Sequence, residues 1–263
     1  MKAILFDLDE TLMPDEPLSH DAFLAAAELA LPLCADQVAL AARARELAAR
    51  YWREGPCYEY CRRIGHSAAE VLWTDYPTPG GHPEVDRLRA WAPGYRVAIW
   101  RAALAHQPSA ADALALQMAE RFASARRRFP LYPEVPALLH ALRRQGYRLG
   151  VVTNGIGTLQ RAKLNGGLLP DGSTLAAQFD AIAISGEIDC GKPEPGIFHH
   201  VAHALGVAPA DCVMVGDNPD RDVAGAEAAG MKSVWVSRNG RPRDPAHPGD
   251  LACTDLSAIL PRV

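Results

Sequence analysis

Hydrophobic positions follow two rhythms along this chain. Residues 3–8, "AILFDL", form a short and almost continuous apolar run, the pattern of a strand buried on both faces. From about residue 17 to residue 129 the repeat becomes helical. There Leu40, Ala44, Leu47 and Tyr51 line one stripe, and Arg43, Glu46 and Arg50 line another, as an amphipathic helix requires. Ser67 with Glu70 is a capping-box signal ahead of Val71, Leu72 and Trp73, and Ser109 opens an alanine-rich helix. Between them "YPTPGGHP", residues 76–83, is a breaker-rich loop.

Beyond residue 129 the two rhythms alternate. "EVPALLHALRRQG" is a helix ended by glycine. "RLGVVTNG", "AIAIS", "CVMVGDN" and "KSVWVS" are short buried strands with polar exits, separated by helical segments. The pattern predicts an α/β fold whose core is a Rossmann-like parallel sheet covered on both faces. Residues 1–16 and 130–263 build that core. Residues 17–129 form an inserted all-helical domain, expected over one end of the sheet. In open α/β sheets ligands bind beyond the carboxyl ends of the strands, where these polar exits fall.

Composition narrows the partners. The chain has 263 residues and a formal net charge of −4, without the basic stripe of a nucleic-acid binder. The longest basic run, Arg126 to Arg128, reads as a solvated helix end. The opening apolar run is too short for a signal segment or a membrane span, so a cytoplasmic protein with no membrane partner is expected. The cysteines at 34, 57, 61, 190, 212 and 253 are scattered. One close pair without a second is not a zinc pattern, and buried free thiols are expected.

The chemistry gathers at the strand exits. The first strand delivers Asp7 and Asp9, the second Thr153 and Asn154, and the fourth Asp217, with Asp222 shortly after. If the extended backbone persists, Asp7 and Asp9 point the same way. Carboxylates so concentrated need a cation, and an all-oxygen set favours magnesium with a phosphate. Lys192, between Gly191 and Pro193, is one of only four lysines against 23 arginines, which sets it apart from generic surface charge.

"DLDET" (7–11), Thr153 in "VVTNG", Lys192 in "GKPEP", and Asp217 with Asp222 in "GDNPDRD" together resemble the four motifs of the haloacid dehalogenase superfamily. The helical stretch resembles that family's cap. The resemblance implies a magnesium-dependent phosphatase that acts on a small phosphorylated metabolite through a phospho-aspartate. Asp7 would be the nucleophile, and Asp9 the general acid and base as well as a metal ligand through its backbone carbonyl. Thr153, Asn154 and Lys192 would hold the phosphate, Lys192 also neutralising charge during transfer. Asp217 would bind the metal with Asp7, and Asp222 would orient water or Lys192 from behind. Asp9 favours phosphate chemistry, because the family's dehalogenases and phosphonatases lack a carboxylate there. A sugar phosphomutase and a retired metal- or phosphate-binding module are the alternatives. The motifs name neither the ester nor the oligomeric state.

Four of the five tryptophans and five of the seven tyrosines fall within residues 51–100. Large rings of this kind build a small domain's own core. In "YWREGPCYEY", where Gly55-Pro56 breaks the helix, Arg53, Tyr58 and Tyr60 are the candidates for reading the substrate beyond its phosphate.

Overall fold

A computed structural model describes residues 2–31, 36–76, 81–104, 111–240, 242 and 244–259. Strand β1 (Ala3–Phe6) leads through a tight loop into helices α1 (Glu16–Ala27), α2 (Gln37–Arg53), α3 (Tyr58–Ile64), α4 (Ala68–Val71), α5 (Pro83–Ala103) and α6 (Ala111–Arg126). Then follow α7 (Val135–Arg144), β2 (Arg148–Thr153), α8 (Gly157–Gly166), β3 (Ala181–Ile184), α9 (Ser185–Ile188) and α10 (Pro195–Leu205). β4 (Cys212–Gly216), α11 (Ala224–Ala228), β5 (Lys232–Val236) and β6 (Leu251–Cys253) complete the order. The chain divides into two compact units, Met1–Asp15 with Phe129–Val263, and Glu16–Arg128.

The first unit is an α/β fold around one parallel sheet in the order β3-β2-β1-β4-β5-β6. β1 lies inside it, with Phe6 opposite Val151 of β2 and Val215 of β4. The alternation of a strand explains the unbroken apolar run. Ile4 and Phe6 join one core layer with Leu138, Leu139 and Leu142 of α7 and Leu164 of α8. Ala3 and Leu5 join the other with Phe198 and Val201 of α10 and Ala226 of α11. Each face needs apolar side chains, so no polar position interrupts the run. α7 stops where the sequence signals it, before Gly146 at φ +83°.

Two features depart from the sequence pattern. β1 ends at Phe6 rather than at residue 8. Glu10 adopts φ +57°, and the amides of Leu12 and Met13 both donate to the carbonyl of Leu8, closing a turn. β6, three residues long, is too short for any periodicity to announce; it forms by pairing Leu251 with Val234 of β5.

The helical unit carries its own aromatic core. Phe23, Trp100 and Phe122 meet with ring centroids 4.7–6.4 Å apart. The Ser67 capping box is present: Ser67 Oγ accepts from the Glu70 amide, and Glu70 accepts from the Ser67 amide. It opens only the single turn of α4. The α2 stripe faces inward through Leu40, Ala41, Ala44 and Ala48, whereas Leu47 and Tyr51 are half-buried. Arg126 corrects the reading of its run as solvated. It is 2% exposed, with its guanidinium 4.7 Å from the Trp73 ring centroid, while Arg127 and Arg128 stay exposed. A cation over an indole face is a favourable way to bury an arginine at a helix end. Cys57, Cys61, Cys212 and Cys253 are buried free thiols and Cys190 is half-buried; Cys34 and Ser109 lie outside the described residues. Among the described residues no helix is long and apolar enough to cross a membrane.

Candidate active site

β1 and β4 are neighbours, and both end at the same edge of the sheet. Asp7 prolongs the β1 ladder by one bond, its amide donating to Val215 O at 2.9 Å, and is 8% exposed. β4 ends at Gly216, followed by Asp217 and the turn Pro219–Val223, which Asn218 caps by accepting from the Arg221 amide at 3.1 Å. That turn brings the buried Asp222 back under the strand end, where its Oδ2 accepts from the Asn218 amide at 3.0 Å. A Cβ on Gly216 would lie 2.3 Å from the Asp222 carboxylate, so only glycine permits the approach.

Lys192 arrives from the loop before α10. Its Nζ lies 2.6 Å from Asp7 Oδ1 and 2.7 Å from Asp222 Oδ1, and the residue is 5% exposed. The loop is held by Asn154, whose Nδ2 donates to Lys192 O at 3.0 Å and whose Oδ1 accepts from Lys192 N at 2.8 Å. Asn154 therefore braces the lysine through both ends of its amide. Thr153, 1% exposed, completes β2. Gly155, at φ +140°, gives its amide to Ser185 Oγ at 2.9 Å.

Asp7, Asp217 and Asp222 each offer a carboxylate oxygen within 4.8 Å of the others. One ammonium faces three carboxylates, and the imbalance shows in their acidities. Burial, then the charges of Asp7 and Asp222, pushes Asp217 far above the ordinary carboxylate range. Asp222 is also raised, by burial first and by Asp7, with Lys192 pulling the other way. Burial lowers Lys192, but Asp222 and Asp7 outweigh it and the net shift is upward. Among the described residues nothing donates to the Asp217 carboxylate. An oxygen-only set with surplus negative charge fits a hard divalent cation such as magnesium.

The Asp9 carboxylate has partners of its own. The chain turns after Phe6, and Asp9 is not part of the three-carboxylate group. Its oxygens lie 2.9 and 2.8 Å from Lys163 Nζ, which is also 3.0 Å from Asp15 Oδ1. Gln160 Nε2 donates to Asp9 Oδ2 at 3.3 Å and to Asn154 O at 2.9 Å. Both residues belong to α8, and the sequence reading passed over both. The scarcity of lysine that singled out Lys192 applies equally to Lys163. Arg238, after β5, was also missed: it donates to Glu10 O at 3.1 Å and to Thr11 O at 2.5 Å, pairs with Glu134 at 2.8 Å and covers the Tyr132 ring. Its sequence neighbourhood offers no signal, since every partner is distant in the chain.

The specificity candidates lie in the helical unit. Arg53 is exposed at the end of α2, and Tyr58 meets Trp52 edge to face, 4.9 Å between centroids. Tyr60 is 5% exposed and stacks on His82 at 4.7 Å, which makes it part of that unit's packing.

A family description reading "haloacid dehalogenase-like hydrolase" matches residues 1–230. A phosphoserine phosphatase from Thermus thermophilus is 42% identical over 260 residues, 99% of this chain and 98% of the relative. Among solved structures, a HAD phosphatase from Thermococcus onnurineus is 27% identical, with a TM-score of 0.54 over 98% of this chain and 96% of that one. A 2-haloacid dehalogenase from Pseudomonas syringae pv. Tomato DC3000 is 25% identical, with a TM-score of 0.56 over 99% and 96%.

Proposed function

This chain belongs to the haloacid dehalogenase-like hydrolases, and from that membership we propose a phosphatase that hydrolyses a small phosphate monoester through a phospho-aspartate on Asp7. The observation that carries the reading is the Asp7 carboxylate, buried at a strand exit, 2.6 Å from a buried ammonium and grouped with Asp217 and Asp222. A carboxylate so placed is a nucleophile with its charge partner already in position. Asp7 attacks phosphorus in line; the ester oxygen leaves as Asp9 gives it a proton. Asp9 then takes a proton from the attacking water, and the acyl-phosphate is cleaved. Lys192 stabilises the charge that moves onto the transferring oxygens, and the Thr153 hydroxyl receives the phosphate. Asp222 fixes Lys192.

Asp7, Asp217 and the backbone carbonyl of Asp9 would hold a magnesium ion, which supplies positive charge for the phosphoryl oxygens when bound. Asp9 favours phosphate esters over haloacids, since the halide leaving group needs no proton. The Thermus relative is named for phosphoserine, which makes a phosphorylated hydroxy-amino acid the first substrate to test and a small phosphorylated metabolite the class. Discrimination among esters is assigned to the helical unit acting as a cap, with Arg53 and Tyr58 ahead of Tyr60.

The test is a panel of phosphate esters that includes phosphoserine, assayed with magnesium and after exhaustive chelation, on the wild type and Asp7→Asn. Hydrolysis should require both the metal and Asp7. Undiminished turnover by Asp7→Asn would discard the covalent route.

A further inference from the structure

Two of the four lysines in this chain are buried, and they divide the first motif between them: Lys192 takes Asp7 and Lys163 takes Asp9. Lys163 is 0% exposed, and its ammonium is the shared partner of Asp9 and Asp15. A buried ammonium persists only where its partners are fixed. Gln160 lies one turn away on the same face of α8. It is also fully buried, and its Nε2 joins Asp9 to the carbonyl of Asn154. The Asn154 side chain in turn grips the Lys192 backbone, and Lys192 reaches Asp7. One continuous set of polar contacts thus runs from Asp9 through Gln160, Asn154 and Lys192 to the nucleophile.

We propose that Lys163 and Gln160 are positioning residues of the hydrolysis, which hold the Asp9 carboxylate in register with Asp7 between its two proton transfers. The proposal rests on the phosphatase reading above. In the first half the bond from phosphorus to the ester oxygen breaks, the bond to Asp7 forms, and the Asp9 proton passes to the leaving oxygen. In the second half water bonds to phosphorus, the bond to Asp7 breaks, and one water proton passes to Asp9. Between the halves Asp9 is a carboxylate, the form that Lys163 grips with both oxygens. Loss of that grip therefore slows the second half most, and spares the first when the leaving group needs no proton.

The experiment is pre-steady-state hydrolysis of p-nitrophenyl phosphate by the magnesium-loaded protein. Asp9→Asn should keep a burst of nitrophenol while steady turnover falls ~10²–10⁴-fold. Lys163→Met should reproduce that pattern with a steady rate down by roughly 10–100-fold, and Lys163→Arg should recover most of the loss. In the Asp9→Asn background Lys163→Met should add no more than about twofold, as expected of residues acting through one group. A burst and a steady rate reduced by the same factor, or additive effects in the double variant, would reduce Lys163 to a packing residue and overturn the proposal. If Lys163→Met does not fold, Gln160→Met, which keeps the ion pair, decides the matter. A retained burst with slowed turnover supports the proposal, and an unchanged ratio of burst to turnover overturns it. Normal turnover by Asp9→Asn itself would instead overturn the phosphatase mechanism on which the proposal stands.

Discussion

The two buried lysines make the same contacts with opposite consequences. Around Lys163 one ammonium, reinforced by a carboxamide, is shared by Asp9 and Asp15, whose side chains are 25% and 22% exposed, so water screens what the lysine leaves uncompensated. Around Lys192 the side chains of the partners Asp7 and Asp222 are 11% and 1% exposed, and Asp217 stands beside them without a donor among the described residues. Screening is weak there, and the surplus charge calls for a cation and a reacting group. A lysine between two aspartates is thus a brace where solvent reaches the acids and part of the proposed reaction centre where it does not.

The strongest way to break this contrast is Lys192→Met. It leaves three neighbouring carboxylates with no ammonium and removes a donor aimed at the developing charge. Turnover at saturating substrate should fall by about 10³-fold; a loss of tenfold or less would place the electrostatic work elsewhere.

The next effect concerns stability. Asp217 is raised in the folded protein, whereas its unfolded carboxyl ionises near pH 3.9. The folded state therefore binds the extra proton. This carboxyl costs the metal-free protein nothing below about pH 4, and progressively more as pH rises toward its folded value. Asp217→Asn should accordingly stabilise the metal-free protein at pH 7 by roughly 1–3 kcal/mol, with the gain vanishing near pH 4. Magnesium should raise the Tm of the wild type but not of the variant. Thermal melts at both pH values, with and without metal, give the answer, and a variant less stable at pH 7 would refute the charge imbalance.

Asp15→Asn should do least. The amide oxygen can still accept from Lys163, so a loss of about 1 kcal/mol or less is expected, with kcat within about threefold of wild type. A larger drop in kcat would show that Asp15, too, belongs to the reacting group.

Much of this was legible in the sequence because the residues concerned follow apolar runs directly. Asp7 and Asp217 could be placed from β1 and β4 alone, and Asp222 and Lys192 from the turn residues beside them. The direction of Asp9 could not, since it depends on a single left-handed residue, Glu10, two positions after the strand was expected to end. The brace that Asn154 gives Lys192 was not legible either, because nothing local reveals that the Lys192 peptide lies against it. Lys163, Gln160 and Arg238 act across 151 to 228 residues of chain, and such pairings leave no periodic trace. Arg126 was misjudged for the same reason: its charge suggests water, and the Trp73 ring that covers it lies 53 residues away in the chain.

The place of β1 between β2 and β4 also sets a schedule. Ala3 pairs with Arg148 on one side and with Cys212 on the other. At ribosomal speeds of about 5–20 residues per second, this sticky segment waits on the order of ten seconds or longer for its second neighbour. The group of Asp7, Asp217 and Asp222 does not exist until then, because Asp217 and Asp222 emerge later still. Nascent chains that stall before β4 would expose an apolar strand with an open edge, a natural client for chaperones and a seed for aggregation. Such a polypeptide brings the residues of its proposed site together in one late event, and a half-made copy holds only some of them.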